Sequence, residues 1–238
     1  TTEIRLSPSK NAGFHVSWVN DAGPPVTLKP TQVSDSQLCT TLQLGSRRLS
    51  TVEHLLAALA GCGVTHAEIQ ASGEEVPLLD GSALGWVEAI EEVGVVPLTT
   101  AARPPIVLKE PILLSRGSSV ITATPSEQFK LVVVIEFPQS AIGKQVFSIS
   151  LTPENFVKEI APARTFGFLD QVEQLRDSGL IKGAGLDNAL VCDGDSWLNP
   201  PLRFPNEPVR HKLLDLLGDL ALVGFPKAQL VVYKGSHG

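Results

Sequence analysis

A long helix, over residues 207–223, is predicted around the stretch Arg210-His211-Lys212-Leu213-Leu214-Asp215-Leu216-Leu217-Gly218-Asp219. Residues four apart share a helix face, so His211 and Asp215 are neighbours, and Asp219 lies one turn further along that face. An imidazole and a carboxylate at this spacing can ligate one divalent ion, and a mixed nitrogen and oxygen set is typical of catalytic zinc. The alternative is a side-chain pair of histidine and aspartate on a solvated helix face. Judged from this helix alone, that alternative is the favoured one.

The rest of the chain predicts an α+β fold, because strands precede helices in each half. Residues 97–105, rich in Pro and small residues, are the predicted linker between an N-terminal domain, 1–100, and a C-terminal domain, 106–238. The predicted strands are 14–18, a hairpin within 38–49, 66–71, 106–114, 119–124, 131–137, 146–151, 190–192 and 229–234, and the other predicted helices are 51–60, 83–93, 153–160 and about 168–177.

Composition limits the classes of partner. Apolar residues make up 43% of the 238, which excludes a disordered chain. The net charge of −6 predicts no nucleic-acid partner but allows a few local lysines to hold a phosphate-bearing small molecule. No apolar run reaches ~18 residues, so we expect no stable membrane insertion. Three cysteines without a CxxC spacing indicate a reducing compartment, hence the cytoplasm or, in a plant, an organelle. We expect a monomer.

A second candidate site lies at the start of the predicted helix 51–60. Ser50-Thr51-Val52-Glu53 matches the capping-box pattern, in which Glu53 would bond back to the backbone of Ser50. Glu53 could instead act as a base toward a metal-bound water, with His54 as a third ligand. Taken singly, Glu53 is best interpreted as a capping residue and His54 as a half-buried helix histidine. The presence of His211 and Asp215 in the same chain makes these structural interpretations less favoured.

Two further sites carry weaker signals. His237 follows an apolar strand on a loop, a suitable place for acid–base chemistry, although it is also the penultimate residue. Thr165 offers a hydroxyl between Arg164 and the aromatic pair Phe166 and Phe168, but two such aromatics more often belong to a core. His15 and His66 lie in strand patterns and are interpreted as structural.

Several short stretches together resemble a known family. They are residues 50–55, 76–83, 163–168, 186–189, 202–204, 209–212 and 215–220. In this order they are similar to the UDP-3-O-acyl-N-acetylglucosamine deacetylases, the zinc amidases of lipid A biosynthesis. The surroundings of 199–202 and 178–183 are most similar to cyanobacterial or plant members.

The resemblance implies two related α+β domains, each a β-sheet packed against helices, with the active site between them. It implies zinc on His54, His211 and Asp215, with Glu53 as general base on the zinc-bound water. The N-terminal domain would supply Glu53 and His54, and the C-terminal domain would supply the other ligands, His237 and a passage for the acyl chain.

The remaining roles also follow from the resemblance. Thr165 and Lys212 match positions that stabilise the oxyanion and hold phosphate, and His237 matches the general acid, oriented by Asp219. Because only Gly238 follows His237, we expect His237 to be mobile. The resemblance also implies three sets of substrate contacts. Phe166 and Phe168 would contact the sugar and nucleoside, and Lys234 would contact the diphosphate. The acyl passage would be lined by Leu180, Leu186 and Ala189.

The expected reaction is zinc-dependent removal of the N-acetyl group from UDP-3-O-(3-hydroxyacyl)-N-acetylglucosamine, with release of acetate. Two alternatives stay open. One is a non-catalytic protein that binds nucleotide sugars or lipids through a structural metal. The other is a zinc amidase acting on a different acylated sugar.

Overall fold

The structure is a computed structural model that describes residues 2–36, 38–98, 106–171 and 185–235. Residues 2–98, the N-terminal half, form two sheets with strand orders β1-β7-β2-β3 and β4-β5-β6. The elements in chain order are β1 (Ile4–Pro8), β2 (Gly13–Trp18), β3 (Val26–Thr27), a 3₁₀ turn (Pro30–Gln32), β4 (Val33–Asp35), β5 (Thr41–Leu44), β6 (Arg47–Leu49), α1 (Glu53–Gly61), β7 (His66–Ala71) and α2 (Leu84–Val93).

Residues 106–235, the C-terminal half, contain a larger sheet of order β12-β11-β16-β10-β9, with β8 beside the start of β16, and a small sheet of order β13-β14-β15. The final strand, β16, lies in the centre, parallel to β11 and antiparallel to β10. The elements are β8 (Ile106–Val107), β9 (Ile112–Arg116), β10 (Ser119–Pro125), β11 (Lys130–Glu136), β12 (Lys144–Ser150), α3 (Pro153–Glu159), β13 (Phe166–Phe168), β14 (Leu190–Asp193), β15 (Ser196–Trp197), α4 (Glu207–Ala221) and β16 (Pro226–Tyr233).

Helices α1 and α4 pack against each other and join the two halves. Buried leucines of both helices, among them Leu56 and Leu213, belong to one hydrophobic core. Gly218 of α4 permits the close approach, because a Cβ there would overlap the backbone carbonyl of Glu53. The first turn of α1 is thereby brought against the side of α4.

The α+β prediction is confirmed, as are most predicted elements. The single strand expected over 106–114 is wrong: β8 and β9 are separate strands, and Pro111, which lacks an N–H, precedes β9. Phe168 ends strand β13, which pairs with β14, and residues 169–171 are helical, so the helix predicted from about 168 begins one residue later. Residues 172–177 of that prediction lie outside the described residues. The predicted domain boundary, between residues 100 and 106, lies in the segment 99–105, which is also outside the described residues. The domain division therefore stays a prediction.

In the part of the chain that the structure describes, no helix has both the length and the apolar character needed to cross a membrane.

Candidate active site

The start of α1 differs from the predicted capping box. Thr51 has a φ of 59°, in the left-handed region, and Val52 occupies the N-cap position without a side-chain cap. The Ser50 hydroxyl instead accepts a hydrogen bond from Thr41 Oγ1 at 3.0 Å. Glu53 Oε2 accepts from the backbone N–H of Thr40 at 2.9 Å. The capping interpretation of Glu53 is therefore wrong, and its carboxylate is held toward the contact between α1 and α4.

Three side chains converge beside Glu53 and form a candidate metal centre. Ligand atoms of His54, His211 and Asp215 all lie within 4.8 Å of one another. Asp215 Oδ1 is 3.6 Å from His54 Nε2 and 3.3 Å from His211 Nε2. All three residues are at most 5% exposed, so this is a buried nitrogen and oxygen set rather than a pair on a solvated face. The solvated-face alternative for His211 and Asp215 is wrong.

The orientation of His211 suits a metal ligand. Its Nδ1 lies 3.0 Å from the carbonyl oxygen of Ala163, so we assign the proton to Nδ1 and the lone pair to Nε2, which faces Asp215. Burial lowers the pKa of His211 to about 4, despite the opposing effect of Asp215. The imidazole is therefore neutral at neutral pH, which is the form that binds metals.

Lys212 is paired with the same aspartate. Its Nζ donates to Asp215 Oδ2 at 2.9 Å, while Oδ1 faces the two histidines. Burial alone would lower the pKa of Lys212, but Asp215 and the more distant Glu53 and Asp219 raise it above its ordinary value. A permanent positive charge consequently lies beside the candidate metal centre.

Glu53 has the properties of a base. It is 3% exposed, and burial is the main reason why its pKa is raised, with a further increase from Asp215 that His54 and the Thr40 hydrogen bond oppose. A raised pKa brings a carboxylate closer to the range in which it can take up a proton near neutral pH.

An aromatic cluster lies next to the histidines. The Phe166 ring is 6.4 Å from that of His211 and 6.2 Å from that of Phe168, measured between centroids. The ring of Phe137, the residue directly after β11, lies 5.6 and 5.5 Å from those of Phe166 and Phe168, measured between centroids. The sequence analysis missed Phe137, because only the packing of the two C-terminal sheets brings it here.

Thr165 is fixed through its backbone. Its N–H donates to the Gly81 carbonyl at 2.7 Å, and its carbonyl accepts from the Leu190 N–H at 2.8 Å. Gly81 has a φ of 83°, and a Cβ there would overlap the Asn188 carbonyl. Thr165 thus lies where the N-terminal half meets β14. It is two residues after Ala163, whose carbonyl oxygen contacts His211 Nδ1.

Two predicted residues have partners that the sequence did not indicate. Asp219 Oδ1 accepts from the Thr40 hydroxyl at 2.5 Å. Lys234, which has a φ of 51°, lies after β16 with its Nζ 3.1 Å from Glu136 Oε2. His237, which Asp219 is predicted to orient, lies outside the described residues.

The predicted acyl passage is described only in part. Leu186 is exposed and Ala189 is half-buried. The carbonyls of both accept hydrogen bonds from Asn199 Nδ2 at 2.8 Å. Leu180 lies outside the described residues, so the passage stays a prediction.

The sequence analysis also missed a buried ion pair behind the site. Glu207, in the first turn of α4, is fully buried and accepts hydrogen bonds from the backbone N–H and Nε of Arg164, each at 2.9 Å. The same carboxylate accepts from the Arg203 N–H at 2.6 Å. Both arginines lie in stretches that carry the family resemblance, but nothing in the sequence pairs them with Glu207.

Comparison with known proteins identifies the family. The model of the UDP-3-O-acyl N-acetylglycosamine deacetylase (LpxC) family matches residues 1–238. The chain belongs to this family.

Named relatives agree with the family assignment. A UDP-3-O-acyl-N-acetylglucosamine deacetylase of Thermosynechococcus vestitus is 51% identical over 237 residues, covering 98% of this chain and 82% of the relative. One of Trichormus variabilis is 49% identical over 247 residues, covering 100% and 87%. A protein of Arabidopsis thaliana named probable deacetylase 1, mitochondrial, is 42% identical over 224 residues, covering 85% and 69%. The resemblance to cyanobacterial and plant members of the deacetylase family is confirmed.

Proposed function

We propose that this protein is a zinc-dependent deacetylase that removes the N-acetyl group from UDP-3-O-(3-hydroxyacyl)-N-acetylglucosamine and releases acetate, in lipid A biosynthesis. The observation that carries the proposal is the convergence of His54, His211 and Asp215, with Glu53 buried beside them, in a member of the deacetylase family. The relatives' names supply the substrate.

The donor set fits zinc. Two imidazole nitrogens and one carboxylate oxygen are ligands that catalytic zinc uses, and the Ala163 carbonyl fixes the tautomer of His211. When bound, zinc supplies a Lewis acid that polarises a carbonyl and lowers the pKa of water. The protein's own contribution is to hold three buried ligands in position on two packed helices.

Glu53 takes the proton from the attacking water. The Thr40 N–H fixes one of its oxygens, so the carboxylate is oriented before the substrate arrives. The leaving amine must then gain a proton, and we assign this step to His237, with Asp219 as its partner.

Lys212 and Thr165 meet the negative charge that develops on the carbonyl oxygen. Lys212 is suited to this because its pKa is raised and its ammonium already lies beside the candidate metal centre. Thr165 is anchored by two backbone hydrogen bonds close to His211's carbonyl partner.

The substrate contacts extend from the aromatic cluster. We assign Phe166 and Phe168 to the sugar and nucleoside and Lys234 to the diphosphate. The Lys234–Glu136 pair is partly exposed, so a phosphate can replace the carboxylate at little cost. We assign Leu180, Leu186 and Ala189 to the acyl passage. We also place the enzyme in the cytoplasm, or in an organelle of a plant, as a monomer.

Acetate release tests the proposal. The purified protein, loaded with zinc, is assayed with UDP-N-acetylglucosamine carrying or lacking a 3-O-hydroxyacyl chain. Each buried CH₂ is worth ~0.8 kcal/mol, so the unacylated substrate should lose several orders of magnitude in kcat/KM. Substrate binding without acetate release would indicate a non-catalytic binding protein. Equal kcat/KM for the two substrates would exclude the acyl passage and indicate a different sugar.

A further inference from the structure

We propose that Thr40 is a positioning residue for the reaction, holding the carboxylates of Glu53 and Asp219 at once. Its backbone N–H donates to Glu53 Oε2 at 2.9 Å, and its hydroxyl donates to Asp219 Oδ1 at 2.5 Å. Thr40 is 2% exposed, and its hydrogen bond to Glu53 is buried, whereas the one to the half-buried Asp219 is partly buried. The inference rests on the proposed function, which assigns Glu53 as the base and Asp219 as the partner of the acid.

The surrounding backbone explains how one residue reaches two helices. Thr40 directly precedes β5, and its carbonyl accepts the Val52 N–H at 3.3 Å, which ties it to the start of α1. On the other side, Gly218 brings the backbone of α4 against that of Glu53, and Asp219 is the next residue. Thr40 therefore lies at the corner between the first turn of α1 and the later part of α4.

The two hydrogen bonds have different chemical origins. The bond to Glu53 comes from the main chain and survives any substitution except proline. The bond to Asp219 comes from the hydroxyl and is lost in a valine, which has nearly the same shape. Thr40→Val therefore removes the link to Asp219 and keeps the link to Glu53, and Thr40→Ser keeps both.

The neighbouring threonine provides a matched control. Thr41 is also buried, but its hydroxyl bonds to the Ser50 hydroxyl and not to a carboxylate. Thr41→Val makes the same chemical change one residue away, without touching Glu53 or Asp219.

The first experiment measures kcat, KM, zinc content and Tm for these three variants. A hydrogen bond to a charged group is worth ~1.5–3 kcal/mol, so Thr40→Val should lower kcat by roughly 10- to 100-fold, with KM and zinc content nearly unchanged. Thr40→Ser should restore most of the rate, and Thr41→Val should keep the wild-type kcat. If Thr40→Val does not fold, Thr40→Ala gives the same comparison with a smaller side chain.

The second experiment combines Thr40→Val with Asp219→Ala. Because Thr40 is proposed to act through Asp219, the double variant should have the kcat of Asp219→Ala alone, even if the two stabilities add. Multiplied losses in kcat, or a wild-type kcat for Thr40→Val, would overturn the inference and leave the proposed function intact. A wild-type protein that contains zinc and releases no acetate would overturn the proposed function, and the inference with it.

Discussion

The two sides of the candidate site are built differently. The metal and base side lies on α1 and α4, where Glu53, His54, His211 and Asp215 are at most 5% exposed. The proposed substrate side lies on strands and loops, where Phe166, Phe168 and Lys234 are only half-buried and Leu186 is exposed. In the proposed function, two packed helices position the metal and the base, whereas the proposed substrate contacts lie on strands and loops. Changes on the helix side should therefore affect turnover, and changes on the strand side should affect substrate binding.

The largest expected effect is loss of a metal ligand. His211→Ala should abolish stoichiometric zinc binding and lower kcat by at least ~10³-fold, because the metal supplies several kcal/mol of transition-state stabilisation. Elemental analysis and acetate release measure the two quantities. His66→Ala is the control, because His66 is also buried but lies in β7, and it should retain zinc. Full zinc content in His211→Ala would contradict the assignment.

The next effect concerns the base. Glu53→Gln should lower kcat by ~10²–10⁴-fold while zinc stays bound, because glutamine cannot take up the proton. Its amide oxygen can still accept from the Thr40 N–H, so Tm should change little. A large fall in Tm with an unchanged kcat would mean that Glu53 serves the structure alone.

A smaller effect is expected on the substrate side. Lys234→Ala should raise KM by about 10-fold or more and leave kcat nearly unchanged, because the proposed contact of Lys234 with the diphosphate is the same in the ground state and the transition state. Lys227→Ala provides the comparison, since Lys227 lies in β16, the strand that precedes Lys234, and pairs with the exposed Glu127 at 3.5 Å. Equal KM values for the two variants would remove Lys234 from the diphosphate site.

The smallest effect is a pH dependence of stability. Asp80 accepts hydrogen bonds from Ser82 Oγ and Arg203 Nη2, both at 2.7 Å. Burial would raise the pKa of Asp80, but Ser82 and Arg203 together lower it below the ordinary value of 3.8. The stability that ionised Asp80 contributes to the fold is therefore present above pH 3.8 and is lost as pH falls through the lowered pKa.

Urea unfolding of the wild type and Asp80→Asn at pH 6 and pH 3 measures this contribution. Asp80→Asn should be less stable at pH 6 by at most ~1 kcal/mol, because the pair with Arg203 is partly exposed. The difference should shrink at pH 3. A constant difference between the two pH values would show that ionisation of Asp80 is not responsible.

Local spacing explains which parts of the site could be predicted. His211 and Asp215 share a helix face wherever the helix forms, so their proximity needs no information from other segments. The capping-box prediction was wrong because Thr51 adopts a left-handed φ, which places Ser50 away from the first turn of α1. The Ser50 hydroxyl accepts a hydrogen bond from Thr41 instead. Phe168 ends a strand, and the helix predicted from about 168 begins at 169, because β13 pairs with β14, more than 20 residues away in sequence.

The sequence by itself determined the α+β class, the helices that carry the ligands and the family, because each depends on residue type and short-range spacing. Only the tertiary structure decided that Glu53 bonds to Thr40, that Thr40 reaches Asp219 and that Glu207 holds Arg164. These contacts join segments 13, 179 and 43 residues apart. They form because burial excludes water, and a buried carboxylate must find its donors in whichever segments the packing brings against it.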